Sequence, residues 1–371
     1  MKRENINTIT SLRFFAAAAI VFGHSVGYHG IPAGWAGNFA HYQGVSFFFV
    51  LSGFVLKISY PELRDRSSKF RFLVARFARI WPLHLFAFGL FCLIKIANHE
   101  VLWPSSESIS EWITPVLNLS LLHAWSPFYA QSMSYNAVSW SISVELFFYV
   151  SFIWLIKIPS SKWYFLPIIG LVPAIALIGW THWMKIPIYP ENGYALSISI
   201  ILYTNPASRL FEFTLGMAAA SIFERFRDYR VSELKGGILE IFAIGLLWFA
   251  FFVMNFSAFE VGPISQILAP SICIWLERCG AGPLFACVIF IFAFQGGFVS
   301  RLLQNSFYVL LGEISFATYM LHQLLQGWVT AKVVGPQSMV FALYLLLVLI
   351  CSYLAWRYVE NPARSWIRKK L

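Results

Sequence analysis

The sequence predicts an all-α fold: a polytopic integral membrane protein with about ten transmembrane helices, one or two re-entrant or interfacial segments, and both termini in the cytoplasm. Of its 371 residues, 58% are hydrophobic and only 12% are charged, whereas a soluble globular domain carries about 25% charged residues. Apolar segments recur along the whole chain. We therefore expect one membrane domain over 1–371, without an appended soluble domain.

Ten segments are long and apolar enough to cross a bilayer as helices, which takes about 20 apolar residues each. They are 8–28, 43–60, 72–96, 137–156, 163–180, 195–222, 236–256, 281–297, 306–330 and 338–358. Two further apolar stretches, 112–125 and 263–277, are short, and the second contains Pro263 and Pro270. We expect these two to dip into the membrane, to lie at its interface or to pack as half-helices.

Basic residues predict the orientation, because cytoplasmic loops carry an excess of Lys and Arg. Segments 61–71 and 224–235 and the C-terminal tail are basic, whereas 97–112 has three Glu and neither Lys nor Arg. Ten spans place every basic cluster and both termini in the cytoplasm. The first apolar segment is too long for a signal-peptide core and contains Arg13, so we expect it to remain as a membrane helix.

Charge and motif patterns exclude several other classes of protein. The net charge of +10 arises from clusters that flank apolar segments, and no stripe of basic and aromatic residues suits a nucleic-acid backbone. The five cysteines lack metal-ligand spacing, so we expect free thiols. The sequence has no Gly-x-Ser-x-Gly motif, no phosphate-binding Gly-rich loop and no His-Glu-x-x-His motif, and no metal site is predicted.

Ionisable residues inside membrane segments are costly and usually face a cavity or a partner. Arg13 and His24 are eleven residues apart, which is close to three helical turns. Their side chains should share one helix face, about 16 Å apart along the axis. An anion bound at Arg13 could therefore extend a neutral arm to His24. The alternatives are a snorkelling arginine and a hydrogen-bonded packing histidine.

Two arginines and a glutamate form the next candidate group. Arg76 and Arg79 are neighbours on one helix face, and paired guanidinium groups bind phosphate well, although they also suit ordinary positive-inside flanking. Glu145 is followed by Leu146 and two phenylalanines, so a solvated face does not explain it. It could orient an imidazole, bind a sugar hydroxyl or pair with an arginine.

Other buried ionisable residues have structural explanations. Arg209 and Glu212 are three residues apart and should neutralise each other. Glu313 and His322 share a segment but lie nine residues apart, on opposite helix faces. We expect two further histidines, His84 and His123, to be interfacial.

Six motifs in order carry a family resemblance. They are Arg13 with His24 after a ten-residue gap, Gly44 to Phe54, the Arg-Phe-Ala-Arg-Ile-Trp-Pro run from Arg76 to Pro82, the Trp-Ser-Ile-Ser-Val-Glu run from Trp140 to Glu145, Leu311 to His322, and Val359 to Pro362. This set resembles acyltransferase family 3, the bacterial membrane O-acyltransferases of cell-surface carbohydrates. The resemblance covers nearly the whole chain.

The resemblance implies an enzyme of the bacterial cytoplasmic membrane that transfers an acyl group from cytoplasmic acyl-CoA, commonly acetyl-CoA, to a carbohydrate hydroxyl. The acceptor would belong to an O-antigen, a capsule or an exopolysaccharide, lipid-linked forms included, and no cofactor would be tightly bound. The implied site residues are His24, Glu145 and Arg13 for catalysis, Arg76, Arg79 and Arg13 for the donor, and Tyr319, His322, Trp140 and Ser143 for substrate binding. His24 would act as general base or as transient acyl carrier.

The chain also departs from the family pattern. Ser46 and Leu146 stand where many members carry acidic or amide residues. Two alternatives stay open at this stage. Buried Arg, Glu and His residues would also suit a transporter or flippase that moves an acyl group or a glycan. An acyltransferase acting on a lipid, a peptide or a small secreted molecule is the other alternative.

Overall fold

A computed structural model describes residues 6–26, 28, 38–99, 109–255, 259–260 and 262–370. These residues form helices and connecting turns, with no β-strand among them. The helices are α1 Asn7–Ser25, α2 Gln43–Ser59, α3 Arg66–Ala97, α4 Ile109–Leu119, α5 Tyr129–Ser132, α6 Trp140–Leu155, α7 Phe165–Trp183, α8 Ile198–Thr204, α9 Pro206–Phe226, α10 Glu233–Phe252, α11 Pro270–Cys279, α12 Gly282–Ala293, α13 Phe298–Leu303, α14 Ser306–Lys332, α15 Gln337–Ala355 and α16 Asn361–Lys370. The predicted all-α class is confirmed.

Six helical stretches of the described chain are long and apolar enough to cross a membrane. They are Arg66–Ala97, Ala137–Leu155, Phe165–Trp183, Glu233–Phe252, Pro270–Ala293 and Gln337–Ile367. Every one of the ten predicted segments contains a helix, but α1, α2, α9 and α14 fall outside this set, α2 being an apolar helix of only 17 residues. Ten spans and cytoplasmic termini therefore stay predictions.

The two doubtful stretches differ from each other. In the first, α4 has 11 residues in the described chain, about 16 Å, and a short 3-10 helix follows it. In the second, α11 and α12 follow one another and form the 24-residue candidate span. The sequence predicts a span at 281–297, and the candidate span begins earlier, at Pro270; that 263–277 packs as a half-helix, dips into the membrane or lies at its interface stays a prediction. Pro270 occupies the first helical turn, where a missing N–H is tolerated, and so it starts the helix.

Glycines allow the helices around the candidate site to pack closely. A Cβ atom on Gly53 of α2 would lie 1.9 Å from the carbonyl oxygen of Phe213, and one on Gly216 of α9 would lie 1.8 Å from that of Val50. Helices in membranes commonly approach through such small residues. This contact fixes α2 against α9 and leaves the opposite face of α2 to line the site.

A fully buried ion pair on α9 packs inside the bundle. Arg209 Nε lies 2.8 Å from Glu212 Oε2, and neither side chain is exposed. The guanidinium lies over the rings of Phe49, Trp140 and Tyr203, with 5.1–5.8 Å to the ring centroids. The predicted neutralisation of Arg209 by Glu212 is therefore observed.

His84 and His123 pack against each other inside the bundle, and their expected position near the membrane interface stays a prediction. Both side chains are buried, and their rings stack with centroids 6.2 Å apart. The 3-10 turn that carries His123 folds inward, because Ser143 of α6 donates to the carbonyl of Leu121 and accepts from the amide of Ala124. The five cysteines are free, as predicted.

Candidate active site

A cavity of about 1260 Å³ opens among α1, α2, α3, α6, α14 and the segment that follows α15. Typical small-molecule pockets measure about 300–1,000 Å³, so the cavity suits a large ligand. Its charged lining consists of Arg13, Arg76, Arg79, Arg357, Arg364, Glu145, Glu313 and Glu360. The structure thus brings four of the predicted site residues, Arg13, Arg76, Arg79 and Glu145, into one space.

The cavity lies toward the end of the bundle that we predict to be cytoplasmic. On α1 the lining residues run only from Asn7 to Arg13, and on α3 they are Arg76 and Arg79 near its N-terminus. The basic segment 61–71 and the basic C-terminal helix α16 adjoin the same end. A ligand that enters from this end meets the arginines first.

Two of the arginines have no anionic partner in contact. Among the described residues, neither Arg13 nor Arg79 makes a hydrogen bond, and neither has a carboxylate within 4 Å. Glu360 and Glu145 act on both of them only as longer-range charges. Because a half-buried guanidinium without partners is costly, these two groups are available to bind an anion.

Two further arginines of the cavity lining, Arg76 and Arg364, are engaged with protein groups. Arg76 Nη2 donates to the hydroxyl of Tyr60 over 3.2 Å, and its guanidinium lies over the Tyr60 ring. Arg364 Nη1 donates to Glu360 Oε1 over 3.1 Å. Both guanidinium groups keep further donors, so they can add contacts to a bound polyanion.

Glu145 lines the cavity wall and does not orient His24. Its Oε1 accepts a hydrogen bond of 2.5 Å from the hydroxyl of Tyr149 and one of 3.4 Å from Ser52. Of the three roles open to Glu145 from the sequence, orientation of an imidazole therefore has no contact to support it. The arrangement places its carboxylate among the arginines of the cavity instead.

Tyr319 forms the inner end of the cavity. It is the lining residue of α14 farthest from the N-terminus of that helix, and its hydroxyl donates to the carbonyl of Val138 over 2.9 Å. Its ring lies 6.2 Å from the ring of Phe48 and 6.0 Å from that of His322. One tyrosine side chain thus separates the cavity from the histidine behind it.

His24 lies beyond this inner end and does not line the cavity. Its Nδ1 lies 2.8 Å from His322 Nε2, and the two rings are nearly parallel, with an interplanar angle of 7°. His24 is half-buried, whereas His322 is fully buried. The expected open path from Arg13 to His24 is therefore closed in this conformation, although the two residues occupy the predicted helix.

The remaining predicted substrate-binding residues do not reach the cavity either. Trp140 is buried against Phe49, Tyr203 and Arg209. The Ser143 hydroxyl donates to the carbonyl of Leu121. His322 forms its ring contacts with His24 and with the carbonyl of Tyr319. These three side chains shape the site from behind its surface.

Sequence reasoning missed several lining residues. Ser52, Tyr149, Glu360 and Arg364 all contribute to the cavity. Two signals were present, because the motif from Gly44 to Phe54 contains Ser52 and the motif from Val359 to Pro362 contains Glu360. Glu360 ends a π-helical turn at Trp356–Glu360, a local geometry that is frequent at functional sites.

Comparisons with known proteins concern the chain as a whole. The family model for the acyltransferase domain of acyltransferase family 3 matches residues 6–357. Acyltransferase MdmB of Streptomyces mycarofaciens is 28% identical over 334 residues, which cover 85% of this chain and 77% of that protein. No solved structure matches the chain.

Proposed function

The chain belongs to acyltransferase family 3, and on this basis we propose that it transfers an acyl group, in the simplest case acetyl, from cytoplasmic acyl-CoA to a carbohydrate hydroxyl. The observation that carries the proposal is the pair of unpartnered guanidinium groups, Arg13 and Arg79, inside a large cavity. A relative that shares most of its length with this chain is itself named an acyltransferase. We place the protein in the bacterial cytoplasmic membrane, with several spans.

Charge supports acyl-CoA as the donor. The cavity lining holds five arginines and three glutamates, so it favours an anionic ligand. Arginine binds phosphate through forked hydrogen bonds. In this proposal the phosphates of the donor lie on Arg13, Arg76 and Arg79, and its neutral arm points toward Tyr319. Acyl-CoA is a substrate here, and the protein needs no tightly bound cofactor.

The acyl group must pass Tyr319 to reach His24. The Tyr319 hydroxyl donates to the carbonyl of Val138, a hydrogen bond that contributes about 0.5–1.5 kcal/mol, and its ring packs beside Phe48 and His322. Rotation of this side chain removes the barrier between the cavity and the His24–His322 pair. Such a movement is inexpensive compared with the binding energy of a large polyanionic donor.

The chemistry needs one base. His24 takes the proton from the acceptor hydroxyl while its oxygen attacks the thioester carbonyl and forms a C–O bond. The C–S bond then breaks, and the thiolate of CoA leaves with the proton that His24 returns. The products are an ester and free CoA, and no acyl-histidine is formed. Arg13 stands about 16 Å from His24 along α1, so its role is donor binding.

The acceptor approaches from the other side of His24. This residue lies near the C-terminal end of α1, which we predict to face outward, and part of its surface is accessible. A cell-surface or exported carbohydrate, such as O-antigen, capsule or exopolysaccharide, presents hydroxyl groups on that side of the membrane. Donor and acceptor would thus meet at one imidazole from opposite ends of the bundle.

Gene replacement tests the proposal. Surface carbohydrate is extracted from the source strain, from a deletion strain and from the deletion strain carrying the wild-type or His24→Gln gene, and its O-acyl groups are measured by NMR. We expect O-acyl signals with the wild-type gene alone. Unchanged acylation in the deletion strain, together with altered carbohydrate export, would instead support a flippase.

A further inference from the structure

A chain of hydrogen bonds fixes which nitrogen of His24 can react. His322 Nδ1 lies 2.7 Å from the backbone carbonyl of Tyr319. A carbonyl oxygen only accepts, so His322 Nδ1 carries the proton, and in a neutral imidazole the other nitrogen then has the lone pair. His322 Nε2 therefore accepts from His24 Nδ1, 2.8 Å away. This leaves the lone pair of His24 on Nε2.

Backbone contacts hold the two rings in this relation. Gln326 Nε2 donates to the carbonyl of His24 over 2.8 Å, and Gln326 lies one helical turn beyond His322 on α14. The Tyr344 hydroxyl donates to the carbonyl of His322 over 3.4 Å. The first bond joins the backbone of His24 on α1 to α14, and the second joins the backbone of His322 on α14 to α15. The relation between the rings follows from the packing of the helices.

The third histidine nearby does not compete for this role. The ring of His41 lies 4.9 Å from that of His24 at an angle of 69°, an edge-to-face contact without a hydrogen bond between the two. Glu145, the other orienting group suggested by the sequence, is bound to Tyr149 and Ser52. Within the described chain, His322 is the group in hydrogen-bond contact with His24 Nδ1.

We propose that His322 is the positioning residue of the catalytic histidine: its lone pair holds His24 in the tautomer that carries hydrogen on Nδ1 and presents Nε2 as the base. This rests on the proposed function. During transfer, Nε2 takes the hydroxyl proton and returns it to the departing thiolate, while the proton on Nδ1 stays in its bond to His322. Catalytic triads use a carboxylate in this place, whereas here a neutral imidazole fixed by a backbone carbonyl does so.

Two amide substitutions at His322 test the proposal, because their side chains differ in length and only the longer one reaches His24. In His322→Gln the amide oxygen reaches the position of Nε2 and can accept from His24. In His322→Asn the amide ends at the position of Nδ1, where it bonds only to the Tyr319 carbonyl. We expect kcat of His322→Gln to stay within about tenfold of wild type and that of His322→Asn to fall about 100-fold or more. Equal losses, or the reverse order, would overturn the proposal.

Two controls distinguish a loss of positioning from a folding defect in the His322 variants. Thermal stability in detergent should be similar for the two amide variants, because both fill a buried site with the same functional group. His84→Asn serves as a histidine control, since His84 belongs to the other buried pair and lies outside the cavity lining. Its kcat should match wild type.

The tautomer itself is measured without any reaction. Nitrogen-15 NMR of ring-labelled histidine, with His24 assigned by comparison with His24→Gln, should show hydrogen on Nδ1 in the wild type and in His322→Gln, and loss of this preference in His322→Asn. Hydrogen on Nε2 in the wild type would refute the positioning role even if the protein transfers acyl groups. The expected tautomer without acyl transfer would support the hydrogen-bond assignment and refute the proposed function alone.

Discussion

Two sets of buried ionisable side chains in this bundle differ in what remains unsatisfied. Arg209 is bonded to Glu212 and to Ser46 and lies over aromatic rings, so its donors are used within the protein. Arg13 and Arg79 have neither a hydrogen bond nor an ion pair in the described chain and face a cavity. The first arginine has its partners within the protein, and the other two are the groups that we propose bind the anionic donor.

The two histidine pairs differ in how their rings meet and in accessibility, since Nδ1 of His84 and Nδ1 of His123 also lack a hydrogen-bond partner in the described chain. In the pair His84–His123 the rings stack at 6.2 Å, and each Nε2 bonds to a separate group, the Asn118 carbonyl and the Ser139 hydroxyl. In the pair His24–His322 the rings bond directly to each other, and His24 keeps an accessible surface. Burial alone does not mark function. A functional group is better indicated by hydrogen-bonding atoms that remain without a partner and lie next to accessible space.

The largest expected effect separates the two histidine pairs. His24→Gln should lower kcat by about 10²–10⁴-fold, because the base is lost, while thermal stability stays near wild type. His123→Gln should lower thermal stability and leave kcat near the wild-type value. Steady-state transfer from acetyl-CoA and thermal unfolding in detergent measure both. Equal loss of kcat in the two variants would remove the distinction drawn between the pairs.

The arginine contrast should appear in KM. Arg13→Gln and Arg79→Gln should each raise KM for acyl-CoA about 10- to 100-fold, because a charge-assisted hydrogen bond contributes about 1.5–3 kcal/mol. Arg209→Gln should leave KM unchanged and destabilise the fold by about 3–5 kcal/mol, since Glu212 would be left buried and unpaired. An unchanged KM in both cavity variants would place the donor elsewhere.

Glu145 offers a sharper test of the cavity. Glu145→Gln removes a negative charge beside Arg13 and Arg79 and keeps an acceptor for Tyr149. We expect KM for acyl-CoA to fall about two- to fivefold, equivalent to about 0.4–1 kcal/mol, with kcat nearly unchanged. If kcat falls as steeply as in His24→Gln, then the carboxylate takes part in the chemistry.

Tyr319 should show the smallest effect. Tyr319→Phe removes the hydrogen bond to Val138 and keeps the ring, so kcat should change by less than about threefold. The measurement is kcat at saturating donor and acceptor. A loss comparable with that of His24→Gln would make the hydroxyl group a participant in catalysis.

The sequence predicted the helical class and the helices that hold the site, because apolar length and basic loops depend on local composition. Six ordered motifs also pointed to Arg13, Arg76, Arg79 and Glu145, which the structure brings to one cavity, while their roles stay predictions. It did not predict the contacts between distant helices. The bond from His24 to His322 joins residues 298 positions apart, and helical periodicity reports nothing about such pairs.

The same limitation explains what the sequence left open. The local pattern did not predict that His84 and His123 would stack inside the bundle, beside a turn that Ser143 holds through Leu121 and Ala124. Pro270 suggested a broken segment, whereas it opens a helix. In both cases a tertiary contact or a helix end decided the structure, and the local pattern permitted either outcome.

The most direct test of the account uses purified protein in liposomes, labelled acetyl-CoA, and surface carbohydrate extracted from a strain that lacks the gene. Covalent label on the carbohydrate is measured together with free CoA. Wild type and His123→Gln should transfer label with one CoA released per ester, and His24→Gln should transfer none. Transfer by His24→Gln at the wild-type rate would contradict the account.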